Sequence, residues 1–263
     1  MKRTSHRRSP ARHARRRARS RHGALLGALL LLAATSASVA AADDGPGPLG
    51  VTTEAVASAW SARVGVLFAA DDAGAPRGDH FCTASVVHSP GRDLVVTAAH
   101  CLDGDTDLVF VPGYRDGAAP YGTWEVQRRL VPGRWAEGRD EDSDVAFAVV
   151  AHQDGRGVED AVGGNRFVTG TATGATAVTV TGYPRSRDVP VRCTAEPDAL
   201  SRTQQRVRCP DFTGGTSGSP WIGGNGELVG VLGGHERGGS TADVSYSVVL
   251  GREAAELYEE AAS

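Results

Sequence analysis

The 263-residue sequence has one lysine, one methionine, four cysteines and only 6% aromatic residues, and beyond residue 42 it has no long apolar run. Positive charge is scarce outside the leader. Residues 1–22 hold ten of the 28 Lys+Arg and no acid, so residues 43–263 carry 18 basic against 31 acidic side chains, a balance of −13. A surface that tracks phosphates needs clustered cations, so nucleic acid is not expected as a partner. The 34 glycines follow no strict Gly-x-y period, which excludes a collagen-like rod. No 20–50-residue repeat marks a solenoid or propeller. The sequence shows no nucleotide-binding loop and no metal-binding or cofactor motif, so no cofactor and no metal are expected.

What is present describes a folded body. Charged residues are 22% and hydrophobic residues 40%, with no biased tract after the leader, which argues against disorder. The length fits one large domain, or two small lobes sharing a core. The leader is Arg-rich over residues 1–22, apolar over 23–34 and small-residued over 35–42. That sequence of regions reads as a secretory signal peptide, residues 1–42, and predicts a secreted protein with no stable membrane association after cleavage. The rival reading is an uncleaved anchor, because residues 23–42 are uncharged for long enough to span a bilayer. Its second half is Ala, Ser and Thr rather than Leu or Ile, which favours cleavage. Paired arginines permit a twin-arginine route without demanding it.

Export permits disulfides. Cys82, Cys101, Cys193 and Cys209 allow three pairings, and their spacing suggests 82–101 and 193–209. Neither pair has the C-x-x-C spacing of a metal site. Residues 43–60 begin Gly-Pro-rich and then turn Ala-rich, and read as a linker or pro-segment. From residue 61 short apolar runs recur between turn residues. They fall at 63–70, 81–88, 94–98, 108–111, 124–130, 145–150, 177–181, 189–194, 206–209, 220–222, 228–232 and 243–249. Such spacing predicts an all-β sandwich or barrel. Residues 252–262 (REAAELYEEAA) alone read clearly as a helix, with Leu257 and Tyr258 to dock it.

Three segments carry the chemistry: Thr97-Ala98-Ala99-His100-Cys101, Asp144-Val145-Ala146-Phe147 and Gly215-Thr216-Ser217-Gly218-Ser219-Pro220. A hydroxyl attacks at neutral pH only with a base in hydrogen-bond reach, and the base needs an orienting carboxylate. Ser217, His100 and Asp144 supply these three groups. The glycines around Ser217 suit a turn that aims the N–H groups of Gly215 and Ser217 at a developing oxyanion. Each segment alone has a bland reading: a surface histidine, a solvated acidic loop, a Gly-rich turn. An α/β-hydrolase elbow would need Gly-x-Ser-x-Gly between strand and helix. Here Ser219 stands in the last position and a strand follows.

Together TAAHC, DVAF and GTSGSP resemble the chymotrypsin-like (trypsin-like) serine protease family, in its secreted bacterial branch that includes glutamyl endopeptidases. The resemblance runs from residue 63 to the C-terminal helix. It implies an all-β fold of two six-stranded antiparallel β-barrels with a C-terminal α-helix, spanning 61–263, with the lobe boundary near 152–175. It implies His100 as general base, Asp144 as orienting acid, Ser217 as nucleophile, and Cys82–Cys101 as the disulfide bracketing the histidine. A protein or peptide substrate follows.

Several positions depart from relatives. Thr216 stands where animal enzymes carry an Asp that pairs with the new N-terminus, and the Ile-Val-Gly-Gly start is absent. That activation switch is therefore not expected. Leu232, before Gly233, stands where glutamyl-specific relatives place His, which argues against Glu specificity. Asp211 lies six residues before Ser217, where trypsin-like members hold the acid that selects Arg or Lys, and a buried Asp there would pair with a cation. The disulfide framing that pocket is missing. Asp211, Leu232 and Gly233 are thus the candidate substrate-binding residues, and Tyr183-Pro184 and Trp221 are candidates for the cleft wall, with buried packing the expected role of Trp221. The alternative function is a silent homologue that keeps the cleft as a binding site. A missing triad member would favour it, and all three are present. Oligomeric state is not encoded in any pattern here.

Overall fold

The computed structural model describes residues 47–70 and 79–263. The expected signal peptide lies outside the described residues. The first lobe is a closed antiparallel barrel of β2 (Val64–Ala69), β3 (Cys82–Val86), β4 (Leu94–Thr97), β5 (Leu108–Pro112), β6 (Trp124–Leu130) and β7 (Ala146–Val150), ordered β2-β3-β4-β7-β6-β5. Most of its strands are short and buried on both faces, while β6 keeps a charged, partly exposed stretch over Glu125–Arg129. Leu67, Ala84, Val86, Val95, Phe110, Ala146 and Ala148 fill the barrel interior. Val64, Val66, Phe68, Val109 and Val111 point outward and are covered by Tyr114 and Tyr183. Side chains alternate across a strand, so a run such as Val64–Ala69 with both faces buried loses the polar alternation of a one-sided sheet.

The second lobe pairs differently. β1 (Thr52–Glu54), β10 (Val191–Ala195), β9 (Val178–Gly182), β13 (Pro220–Gly223), β14 (Glu227–Val231) and β8 (Arg166–Phe167) form one six-stranded sheet in that order. β11 (Asp198–Ala199), β12 (Gln204–Arg208) and β15 (Val244–Val248) form a second of three strands. A single Leu232–Ser247 bridge joins them. The second ring is therefore split in its hydrogen bonding, where the first is continuous. Thr52–Glu54, within the stretch read as linker or pro-segment, is an edge strand against β10.

Among the described residues three α-helices punctuate the strands: α1 (Gly133–Gly138), α2 (Val158–Val162) and α3 (Arg252–Ala261). The first two are about a turn and a half long and carry no readable period. α3 docks through Ala254, Leu257 and Ala261 onto Leu94, Val96 and Phe147 of the first lobe and Leu228, Val231 and Val248 of the second. This shared core lies between the lobes. Cys82 bonds to Cys101 and Cys193 to Cys209, so each lobe has one disulfide. Closing loops of this length contributes about 3 kcal/mol each in the chain-entropy account.

Candidate active site

His100 sits in a 3-10 turn, Ala99–Leu102, directly after β4. The Cys82–Cys101 disulfide ties this turn to the start of β3. Asp144 precedes β7, which pairs with β4, so adjacent strand ends bring acid and histidine together. The Asp144 carboxylate is fully buried. It accepts the His100 backbone N–H at 2.9 Å, the His100 ring Nδ1–H at 2.8 Å and the Gly234 N–H at 2.7 Å. A buried carboxylate without partners would be costly, and three donors offset that cost. With Nδ1 donating, Nε2 is left as the lone-pair nitrogen.

The surroundings of Asp144 fix its place. Ser143 donates to Glu253 of α3 at 2.7 Å. The Gln204 amide donates to Glu141 O and Asp142 Oδ1, and its oxygen accepts the His235 N–H. A Cβ on Gly233 would come 2.9 Å from Asp144 Oδ2, and one on Gly234, at φ +79°, 2.4 Å from Gln204 Oε1. The two glycines are required by this close approach.

Ser217 is half-buried on the turn before β13. Gly215 has φ +101°, and a Cβ there would lie 2.6 Å from Arg185 N. Gly218 has φ +86°, and a Cβ there would lie 2.0 Å from Thr83 O. The Thr216 N–H donates to Thr213 O, the Gly218 N–H to Leu232 O and the Ser219 N–H to Thr216 O. Among the described residues, the N–H groups of Gly215 and Ser217 have no acceptor within the protein. No direct hydrogen bond joins Ser217 to His100. Nucleophile–base bonds are often long without substrate.

The remaining candidates scatter. Asp211 is exposed, at φ +68°, and is not the enclosed acid that would pair with a cation in a pocket. Leu232 is 3% exposed and belongs to the core around Trp221 and Val229. Its backbone holds the Ser217 turn instead, through bonds with Gly218 and Ser219. Tyr183 is buried and donates to Tyr114 O at 2.9 Å, so it is core rather than cleft wall. Burial pushes its phenol pKa up. Cys82, Cys101 and His100 lie close enough to share an ion, but both sulfurs are spent in the disulfide. Gln204, Gly234 and Thr83 support the site without a sequence signal.

A family model described as "Trypsin-like peptidase domain" matches residues 82–231, more than half of the chain. Among curated protein sequences none matches. Among solved structures, the protease Anisep from Arthrobacter nicotinovorans is 27% identical, covering 80% of this chain and 99% of its own at a TM-score of 0.68. A thermostable serine protease, AL20, from an extremophilic microorganism is 26% identical, covering 78% and 99% at 0.67. A Glu endopeptidase at 17% identity, covering 82% and 97% at 0.65, shares the fold. With that match over His100, Asp144 and Ser217, the protein belongs to the trypsin-like peptidase domain family, as a hydrolase of the serine endopeptidase class.

Proposed function

We propose that the protein is a secreted endopeptidase that cleaves protein or peptide substrates through Ser217, His100 and Asp144. The observation that carries this is the fully buried Asp144 carboxylate, which takes the Nδ1–H of His100 and leaves Nε2 as a base. In the reaction, Nε2 removes the Ser217 hydroxyl proton as Oγ bonds to the scissile carbonyl carbon. The N–H groups of Gly215 and Ser217 receive the oxyanion. His100 then gives its proton to the leaving amine, and the C–N bond breaks to leave an acyl-enzyme. Water attacks that ester with His100 again as base, and Ser217 is released.

Secretion rests on the leader and fits two disulfides, which persist in oxidising compartments. Among the described residues no helix is long and apolar enough to cross a membrane. A Glu preference is not carried over from the Glu endopeptidase neighbour, because Leu232 offers an apolar, buried side chain at the relevant position.

Fluorophosphonate labelling of the exported protein, with peptide mapping, tests the reading. The expected adduct is on Ser217, with Ser217→Ala unlabelled and slowed about a million-fold on casein. A folded, disulfide-bonded sample that takes no label, or a Ser217→Ala protein that still cleaves casein, overturns it.

A further inference from the structure

Thr83 belongs to β3 of the first lobe and is fully buried, yet its polar groups serve the second lobe. The β3–β4 pairing begins only at Ser85, so the Thr83 backbone is free of that ladder. Its N–H donates to Ser217 O at 2.7 Å. Its hydroxyl donates to Gly215 O at 3.0 Å and accepts the Tyr183 N–H at 3.0 Å. Its carbonyl accepts the Thr97 hydroxyl at 2.8 Å. The rotor has its proton and a lone pair committed to fixed backbone groups, so it has one orientation.

The peptide planes of the nucleophile turn show what this accomplishes. The N–H of Gly215 belongs to the plane whose carbonyl is Gly214 O, and Arg185 N holds that carbonyl at 2.7 Å. The N–H of Ser217 belongs to the plane whose carbonyl is Thr216 O, held by the Ser219 N–H and hydroxyl. The two alternating planes end in Gly215 O and Ser217 O, and both of these carbonyls are held by Thr83, while the N–H ends of the same planes, on Thr216 and Gly218, are held by Thr213 O and Leu232 O. Through Tyr183 the same hydroxyl grips the segment 183–185 that holds Gly214 O. Thr83 is also bonded to Cys82, whose disulfide partner adjoins His100. One residue therefore references the oxyanion turn to the histidine across the lobe junction.

We infer that Thr83 is a positioning residue whose hydroxyl holds the Gly215–Ser217 turn in the orientation that receives the oxyanion. The inference rests on the reading of Ser217 as nucleophile. Removing the hydroxyl leaves Gly215 O and the Tyr183 N–H buried without partners, a costly state. Gly215, lacking a Cβ, is the residue in the turn freest to rotate and relieve it. With the Tyr183 N–H released, the 183–185 segment that holds Gly214 O loosens as well, and the Gly214–Gly215 plane can carry the Gly215 N–H away from the oxyanion, which affects the transition state more than ground-state binding.

The test measures kcat, KM and the fluorophosphonate acylation rate for wild type, Thr83→Val and Thr83→Ser, with denaturant midpoints alongside. Thr83→Val is expected to lose at least about tenfold in kcat and acylation rate, within the range for disturbing one oxyanion donor, while KM moves less than about threefold. Thr83→Ser keeps the hydroxyl and is expected within about threefold of wild type in kcat. If Thr83→Val does not accumulate folded, Thr83→Ala carries the same expectation. The inference is overturned if the hydroxyl-free variant keeps wild-type kcat, if KM rises in proportion to the kcat loss, or if Thr83→Ser is as impaired as Thr83→Val. It is also overturned if neither hydroxyl-free variant folds, since the hydroxyl's role is then in folding. A wild type that takes no label on Ser217 instead sinks the proposed function, and is told apart because it fails before any variant is compared.

Discussion

The two halves of the candidate site are held in opposite ways. His100 and Asp144 stand on neighbouring strand ends of a closed barrel, and their relation is set by side-chain chemistry around one buried carboxylate. Ser217 stands on a turn of the split lobe, and its relation to its surroundings is set mainly by bonds to the turn's backbone, two of them supplied by Thr83 of the other lobe. The His100–Asp144 half is thus specified by residue identity, and the Ser217 half by conformation. A closed barrel has no edge and few ways to deform. A glycine turn has many, and must be restrained from outside.

The largest expected break in this contrast is Asp144→Asn. The amide cannot accept from Nδ1–H and two backbone donors while keeping the imidazole in the same tautomer. kcat should fall about ten-thousand-fold with the fold intact, read from single-turnover hydrolysis beside near-UV circular dichroism. Smaller, and aimed at the lobes separately, is removal of each disulfide by paired Cys→Ala changes. Both should lower stability by about 3 kcal/mol in urea unfolding. Loss of Cys82–Cys101, which borders both His100 and Thr83, should also lower kcat, while loss of Cys193–Cys209 should spare it. Equal activity losses would show that the halves are not separately held.

The smallest effect concerns His80, enclosed by Phe68, Tyr114 and Tyr183, with Nε2 bonded to Pro184 O at 3.2 Å. Burial pushes its pKa below the usual histidine value, against the upward pull of the Pro184 and Tyr183 backbone and of Asp188. Neutral above about pH 6.5 in both states, it contributes no slope there. As pH falls below that value the unfolded chain takes up a proton first, so stability declines. His80→Phe should cost about 1 kcal/mol at pH 7.5 through the lost hydrogen bond. It should also narrow the gap between urea midpoints at pH 7.5 and pH 5. An unchanged gap would remove His80 as a source of acid sensitivity at the lobe junction.

Much of this was legible in the sequence, for reasons that also mark the limits. The strands of four or more residues were readable because they lie between turn residues, and α3 because its apolar residues recur at helical spacing on one face. The order His100, Asp144, Ser217 was readable because the chemistry demands those side chains. Thr83 was not, because within an apolar strand a threonine looks like β-branched filling. Gln204 and Gly234 act from segments more than 50 residues from Asp144, and no local pattern records such a contact. Thr52–Glu54 was missed because an edge strand of three residues has too short a pattern, and its partner lies beyond residue 190. Asp211 was offered both as a pocket acid and as a loop acid, and its distance from Ser217 in sequence could not decide between them, because exposure is set by the tertiary fold.

The docking of α3 has a consequence in time. The helix packs on β7, its Glu253 accepts from Ser143 beside Asp144, and Tyr258 donates to His88 O. These residues leave the ribosome roughly a hundred positions after the barrel they complete. A nascent chain that already contains His100 and Asp144 therefore still lacks the strap behind its acid.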